Sequence, residues 1–399
     1  MSENRIIFHI DVNSAYLSWT AVKRLQDGEA VDIRTIPAAV GGDENSRHGV
    51  VLAKSISAQK FGVKTGESLF EARQKCPNLK VVPAEHEYYS MMSKKLFDLL
   101  NDYSPLVEKF SIDEGFLDYT GLEGLYGEPM QAAFELKERI KREFGFTVNI
   151  GVAPNKILAK MAGELKKPDL VHSLFHHELE SKLWPLPIRE LFMVGKSSER
   201  VLVNHGIDTI GKLAKCDQET VIKLLKSHGH TLWKYANGID NSPVVPSGTT
   251  AAKSFSHSTT LSRDAESLDD ANPVIHRLVQ SACMRMRSEN YQCSTVSVTI
   301  KYADFTLFSR QTKIKTPTDD TDYIYKLLKD LYAALWNGRP VRLIGVSLND
   351  LSEKDDSQMT IFDAINQQKH KKLDAVCDKI RMQFGKGAIG FGDELKGKK

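Results

Sequence analysis

The chain has no apolar run approaching the roughly 18 residues of a membrane span, which excludes a helical membrane protein, and no membrane partner is expected. Cysteine is scarce: Cys76, Cys216, Cys283, Cys293 and Cys377 are the five among 399 residues, and no two form a Cys-x-x-Cys pair. An odd, scattered set excludes a disulfide framework or zinc ribbon and fits reduced thiols. No signal peptide precedes the first strand, so the expected location is the cytoplasm. A large charge surplus is also missing, the formal net charge being +3. Residues 366 to 399 hold nine Lys or Arg against four Asp or Glu, so the preceding chain is slightly acidic. Any nucleic-acid surface must therefore be a local stripe on a balanced body. With 41% hydrophobic residues the chain can bury a large core divided among three or four units.

What is present is acid at the ends of apolar runs. Ile6-Ile7-Phe8-His9-Ile10 leads into Asp11, and Val107 to Ile112 leads into Asp113-Glu114. Carboxylates gathered from separate strands repel one another unless divalent cations neutralise them, and an all-oxygen donor set suits magnesium. Asp11, Asp113 and Glu114 thus make a candidate two-metal phosphoryl-transfer site. A plain hairpin turn also produces an Asp-Glu pair, and the pair alone does not decide between them.

The order of elements predicts an α+β multidomain protein. The spacing predicts a strand over 5–10, a helix capped by Asn13 or Ser14 and running to about Leu25, and a small glycine-rich insertion over 31–80. A helix over 86–101, a hairpin with Asp113-Glu114 at its turn, a helix over 130–144, a strand over 147–152 and a helix over 154–165 follow. That order suggests a ferredoxin-like sheet interrupted by the insert. Short helices over 188–192, 198–205, 210–215 and 218–226 are expected to be separated by Gly195, Gly206 and Gly229, an arrangement that offers backbone N–H groups to phosphate. A Pro/Gly/Ser-rich linker over 241–250 leads to a second α+β unit, with strands over 294–300 and 343–348 and helices over 269–288 and 322–336. The tail from Leu351 is polar, with an amphipathic helix over 373–384 that could bind DNA or a partner or pack on the body.

With these pieces in order, four motifs resemble the Y-family DNA polymerases of the bacterial DNA polymerase IV (DinB) type, over roughly residues 5 to 365. They are Ile10 to Tyr16, Lys60-Phe61-Gly62-Val63-Lys64, Ser111-Ile112-Asp113-Glu114 with Phe116-Leu117-Asp118, and Gly151 to Lys156 with Lys167-Pro168. The resemblance implies a right-hand polymerase: ferredoxin-like palm (1–15 and 78–172), small fingers (16–77), helix-hairpin-helix thumb (173–240), linker (241–250), α+β little finger (251–350) and a tail (351–399). It also implies error-prone translesion synthesis from dNTPs on primer-template DNA, by a monomer with no proofreading domain. Asp11, Asp113 and Glu114 fall on the family's metal carboxylates, with the Val12 carbonyl as a further ligand to two Mg²⁺ ions. One ion would lower the pKa of the primer 3′-hydroxyl and the other would hold the triphosphate.

By the same resemblance Tyr16 is the steric gate that clashes with a ribose 2′-hydroxyl, and Lys167 contacts the triphosphate. The fingers depart from the pattern. Where many relatives place a tyrosine and an arginine on the triphosphate, this chain has Ile56 and Gln59, with Lys54, Lys60 and Arg47 as nearby cations. Gln59 remains a nucleotide-binding candidate. Lys253, Ser254, Ser309 and Arg310 resemble strand segments that lie along template phosphates without reading bases. Gln358, Ile361 and Phe362 resemble the peptide that docks bacterial polymerases on the sliding clamp, the β subunit of the replicative polymerase. Two other readings stay open. Gly41-Gly42-Asp43-Glu44-Asn45 resembles a diguanylate cyclase signature, though it lies in the insert and not at the palm hairpin. A non-catalytic DNA-binding protein could also keep this fold, although three clustered acids without metal or function would burden it.

Overall fold

The computed structural model describes residues 5–43, 47, 49–246, 248, 251–353, 364–385 and 388–389. It falls into two compact units, one built from residues up to 250 and one from 251 onward together with 46–48.

The first unit begins with β1 (Ile7–Val12) and α1 (Ala15–Gln26), followed by the insert: β2 (Ala38–Gly41), β3 (Val51–Lys54), α2 (Ile56–Lys60), α3 (Leu69–Lys75) and β4 (Lys80–Pro83). After these come α4 (His86–Tyr103), β5 (Val107–Lys109), β6 (Glu114–Asp118), α5 (Glu123–Tyr126), α6 (Pro129–Phe144), β7 (Val148–Ala153), α7 (Lys156–Glu164) and β8 (Val171–Ser173). The main sheet has the order β5-β6-β1-β7-β8 and is antiparallel through its first four strands, which is the ferredoxin-like arrangement expected from the element order. Strands β1 and β7 are buried almost throughout, so helices must cover the sheet and only its ends reach solvent.

Local sequence explains several boundaries. Ser68 caps α3 in a reciprocal capping box with Glu71, and the Asn155 side chain accepts from Leu158 N to start α7. Ser14 stands at the cap position of α1 but makes no side-chain cap bond, and its φ of +47° is not the extended conformation usual for a capping residue. The second acidic pair is also placed differently from its expected position at a strand's end. β5 stops at Lys109, Asp113 lies in the turn, and Glu114 opens the return strand. Helix α1 shares the main core through Leu17, Trp19 and Val22 beside Phe8 and Phe146, whereas the insert has its own small core around Val51, Val63, Leu69 and Leu79.

The rest of this unit is helical: α8 (Lys196–Asn204), α9 (Ile210–Lys215), α10 (Gln218–Leu225) and α11 (Ser227–Ala236). Gly206 is a turn with φ +78°, but Gly229 is no separator. It lies inside α11, an element the residue pattern did not reveal, where an added Cβ would stand 2.4 Å from the Val221 carbonyl. The stretch expected as free linker is packed as far as 246: Val244 is buried, Arg5 Nη1 donates to Ser242 O at 3.0 Å, and Lys156 Nζ donates to Pro243 O at 3.4 Å.

The second unit comprises β9 (Ser254–Ala265), α12 (Leu268–Ser288), β10 (Tyr291–Tyr302), β11 (Leu307–Thr318), α13 (Thr321–Leu335), β12 (Val341–Glu353) and α14 (Ala364–Phe384). Its antiparallel sheet runs β11-β10-β12-β9. Burial alternates along β10 and β12, the mark of a sheet with one covered face. α14 packs on its own unit: Arg287 Nε donates to Asp378 at 2.8 Å, Arg287 Nη1 to Asp374 at 3.3 Å, and Arg381 Nη2 to Gln280 at 3.0 Å. The five cysteines are unpaired thiols. Among the described residues no helix is long and apolar enough to cross a membrane.

Candidate active site

The main sheet brings Asp11 and Glu114 into register as cross-strand partners, and Val12 N donates to Asp113 O at 3.0 Å. Beyond this strand end lies a cavity of about 1300 Å³. Asp11, Val12, Tyr16, Gln59, Asp113 and Lys167 all line it, as do Ile56, Lys54 and Lys60. Six of the expected site residues, from four different segments, are therefore assembled around one space.

The approach to the cavity is built by asparagines. Asn13 Oδ1 accepts from Thr147 Oγ1 at 2.9 Å and Asp169 N at 3.0 Å, and its Nδ2 donates to Asn149 Oδ1 at 3.1 Å. Buried Asn149 in turn donates to the carbonyls of Gly163 at 3.1 Å and Lys166 at 2.7 Å. These bonds tie the β1–α1 turn to the end of α7. Ser14, next in the chain to Asn13, is in the left-handed conformation, which costs of order 1 kcal/mol for a non-glycine residue. Tyr16 stacks on Tyr89 with centroids 4.6 Å apart and 11° between planes, so its ring direction is fixed. Burial, and then the Asp113 carboxylate, push the Tyr16 phenol above its ordinary value.

Each carboxylate already has a partner. Asp113 Oδ1 accepts from Ser111 Oγ at 2.6 Å. Asp11 is ion-paired with Lys167, which also reaches Glu164 at 2.8 Å. Burial pushes Asp11 above its ordinary value against the pull of that ammonium. Burial pulls Lys167 down, but Asp11 and Glu164 more than offset this and leave it raised. Glu114 Oε2 accepts from Lys160 Nζ at 2.5 Å and meets His9 Nε2 at 3.1 Å. Burial alone would raise Glu114, yet these hydrogen bonds outweigh it and hold the carboxyl down to about 2.

Among the described residues no three His, Cys, Asp or Glu stand close enough to hold one ion. Glu114 faces Lys160 and His9 and is not among the residues that line the cavity. The donor chemistry nevertheless fits a hard cation, because Asp11, Asp113 and the Val12 carbonyl offer only oxygen. His9 and Lys160 were not singled out from the residues. Strand alternation puts His9 on the same face as Asp11, two positions away, which is the signal that could have found it.

The remaining expected residues lie elsewhere. Ser254 opens β9 with Lys253 just before it, and Ser309 and Arg310 lie on β11, so the two pairs occupy opposite outer strands of the second unit's sheet. Gln358, Ile361 and Phe362 lie outside the described residues, as do Glu44 and Asn45 of the cyclase-like segment.

Comparison with known proteins gives the same outline. The impB/mucB/samB family profile matches residues 10–164, and the profile of that family's C-terminal domain matches 252–361. DNA polymerase IV of Clostridium acetobutylicum is 44% identical over 97% of both chains. DNA polymerase IV 2 of Bacillus subtilis is 36% identical over 98% of this chain and 94% of its own. A Y-family DNA polymerase chimera of Dbh and Dpo4 shares the fold, with a TM-score of 0.74 at 24% identity, covering 88% of this chain and 100% of its own. The insertion ternary complex of Dbh DNA polymerase aligns at 25% identity with a TM-score of 0.59, covering 88% of this chain and 100% of its own. The chain belongs to the impB/mucB/samB family, the Y-family DNA polymerases, and within it to the DNA polymerase IV type.

Proposed function

We propose that this DNA-directed DNA polymerase is an error-prone translesion enzyme that adds dNTPs to a primer 3′ end without proofreading. The observation that carries the reading is the single cavity shared by Asp11, Val12, Asp113, Tyr16 and Lys167. Two Mg²⁺ ions, when bound, would supply activation of the primer hydroxyl and charge neutralisation on the triphosphate. Asp11, Asp113 and the Val12 carbonyl would hold them, with Glu114 completing the set. Tyr16, braced by Tyr89, would act as the steric gate, its stacking supporting a ring that does not turn away from a bulky sugar substituent. Lys167 offers a compact cation to phosphate. Gln59 supplies no charge there; of the finger cations that line the cavity Arg34 is paired with Asp32, so Lys54 and Lys60 would take that part.

By packing and motif together we assign the palm to 1–15 and 78–172, the fingers to 16–77, the thumb to 173–240, the little finger to 251–350 and the tail to 351–399. Lys253 and Ser254, and on the far strand Ser309 and Arg310, would lie along template phosphates. Two strands separate β9 from β11, about 14 Å across the sheet, and the register sets the pairs a further three or four residues apart along the strands, so they would reach different phosphate rows. Gln358, Ile361 and Phe362 would dock on the sliding clamp. The enzyme would act as a cytoplasmic monomer.

The test is extension of a labelled primer with Mg²⁺ and single dNTPs, comparing the chain with Asp113→Ala. Template-dependent addition should be lost by at least 10³-fold in the variant while primer-template affinity stays within about twofold. DNA binding with no addition by the unaltered chain would favour a non-catalytic role.

A further inference from the structure

Glu114 differs from the other two acids in how it is held. Both of its contacts converge on one oxygen: Lys160 Nζ at 2.5 Å and His9 Nε2 at 3.1 Å meet Oε2, and neither bonds Oε1. These partners are rigid. His9 is fully buried in the middle of β1 and packs against Phe116 with centroids 4.9 Å apart. Its Nδ1 has no hydrogen-bond partner, so the ring's one polar contact is the one to Glu114. Lys160 is 8% exposed, and its ammonium lies 5.2 Å from the Phe110 ring centroid and 5.1 Å from that of Phe192. Gly163 and Gly151 make room for this packing. A Cβ on Gly163 would approach His9 Nδ1 to 3.2 Å, and one on Gly151 would stand 1.9 Å from the Ala159 carbonyl, one residue from Lys160.

A carboxylate pinned at one oxygen from two directions has its plane fixed and its second oxygen free. We propose that His9, together with Lys160, is a positioning residue for the polymerase reaction: the two hold Oε2 of Glu114, the cross-strand partner of Asp11, and leave Oε1 as the one oxygen of Glu114 that a divalent cation can take. This inference rests on the polymerase reading above. The partnerless Nδ1 leaves Nε2 as the ring atom that serves Glu114, as its N–H donor. Removing the donor frees the Glu114 side chain to rotate, and each misaligned rotamer weakens the cation's hold. Partners of this kind change metal affinity or activity by about 10–100-fold when removed.

The decisive pair of variants is His9→Phe, which keeps a ring beside Phe116 and removes the donor, and His9→Gln, which keeps an N–H at similar reach. Mn²⁺ affinity, read from the electron paramagnetic resonance signal of free Mn²⁺ with full-length protein and primer-template DNA, should fall about tenfold in His9→Phe. The kcat for dNTP addition should fall with it, while DNA affinity and melting temperature stay at wild-type values. His9→Gln should regain most of both losses. Wild-type Mn²⁺ affinity in His9→Phe, or equal losses in the Phe and Gln variants, overturns the proposal. The wild-type arm separates the two readings: a wild-type chain that adds no nucleotide removes the polymerase reading itself, whereas an active wild type with an indifferent His9→Phe removes only the role of His9.

Discussion

The two sheets of this protein share a plan, antiparallel strands with helices packed on them, and differ in what they do with their faces. The sheet of the first unit is buried along β1 and β7, and the polar groups it takes inside are nearly all engaged: Asn149, Asn155 and Lys160 each have named partners. The sheet of the second unit alternates buried and exposed residues and keeps most of its cations outside. A sheet covered on both faces can present chemistry only at its strand ends and the turns beyond them, where Asp11 and Asp113 are found. A sheet with an open face can present only a broad surface, suited to a backbone that need not be read. The difference follows from periodicity, since unbroken apolar runs demand two covers and alternation demands one.

The largest expected effect comes from forcing room into the covered sheet. Gly151→Ala places a methyl group 1.9 Å from the Ala159 carbonyl and must displace α7. We expect a loss of more than about 3 kcal/mol in the first unit. The matching change in the second unit, Gly345→Ala, meets the Ser258 Cβ at 3.1 Å and should cost about 1 kcal/mol. Calorimetry of both variants would break the comparison if the two losses were equal.

Next in size is the ion pair that fixes α14. Arg287→Met leaves Asp374 and Asp378 without their guanidinium and should cost about 3 kcal/mol in the second unit. Limited proteolysis should then cut within α14 while the first unit survives; an unchanged digestion pattern would mean the helix is held by packing alone.

Smaller again is a pH effect. Burial pushes the Cys293 thiol up to about 12 and the Cys283 thiol still further from their ordinary 9.0. The folded state keeps protons that the unfolded state releases, so stability is lost as pH climbs past 9. The slope is about 1.4 kcal/mol per pH unit for each thiol. A Cys283→Ala, Cys293→Ala double variant should flatten the alkaline limb of the second unit's transition and leave that of the first unchanged.

How far the residues alone led depends on the range of the forces involved. Caps act within three positions, yet the one read at Asn13 or Ser14 makes no side-chain bond to the helix, because Asn13 is engaged by Thr147 and Asn149, 134 and 136 residues away. The strand carrying Asp11 was legible because an apolar run stops there, whereas the run before Asp113 overstates β5, which ends at Lys109 and leaves Asp113 in the turn. Gly229 was misread because a glycine that breaks a helix and one that seats it on a neighbour look alike until the Val221 carbonyl is seen. Lys160 and His9 escaped notice because their shared partner is 46 and 105 residues away. The docking of α14 by Arg287 spans nearly as far, 87 to 91 residues, and no local pattern encodes it.

The outer strands β9 and β11 have a consequence of another kind. Each leaves one row of backbone N–H and C=O groups unpaired within its sheet, and such rows recruit strands from other molecules. β11 carries Arg310, Lys313 and Lys315 along that margin, and Pro317, which has no N–H to offer. The cations suited to a phosphate backbone are thus also the ones that keep two copies from joining edge to edge. High salt screens both roles at once, so conditions that strip this protein from nucleic acid are those in which its self-association should be watched.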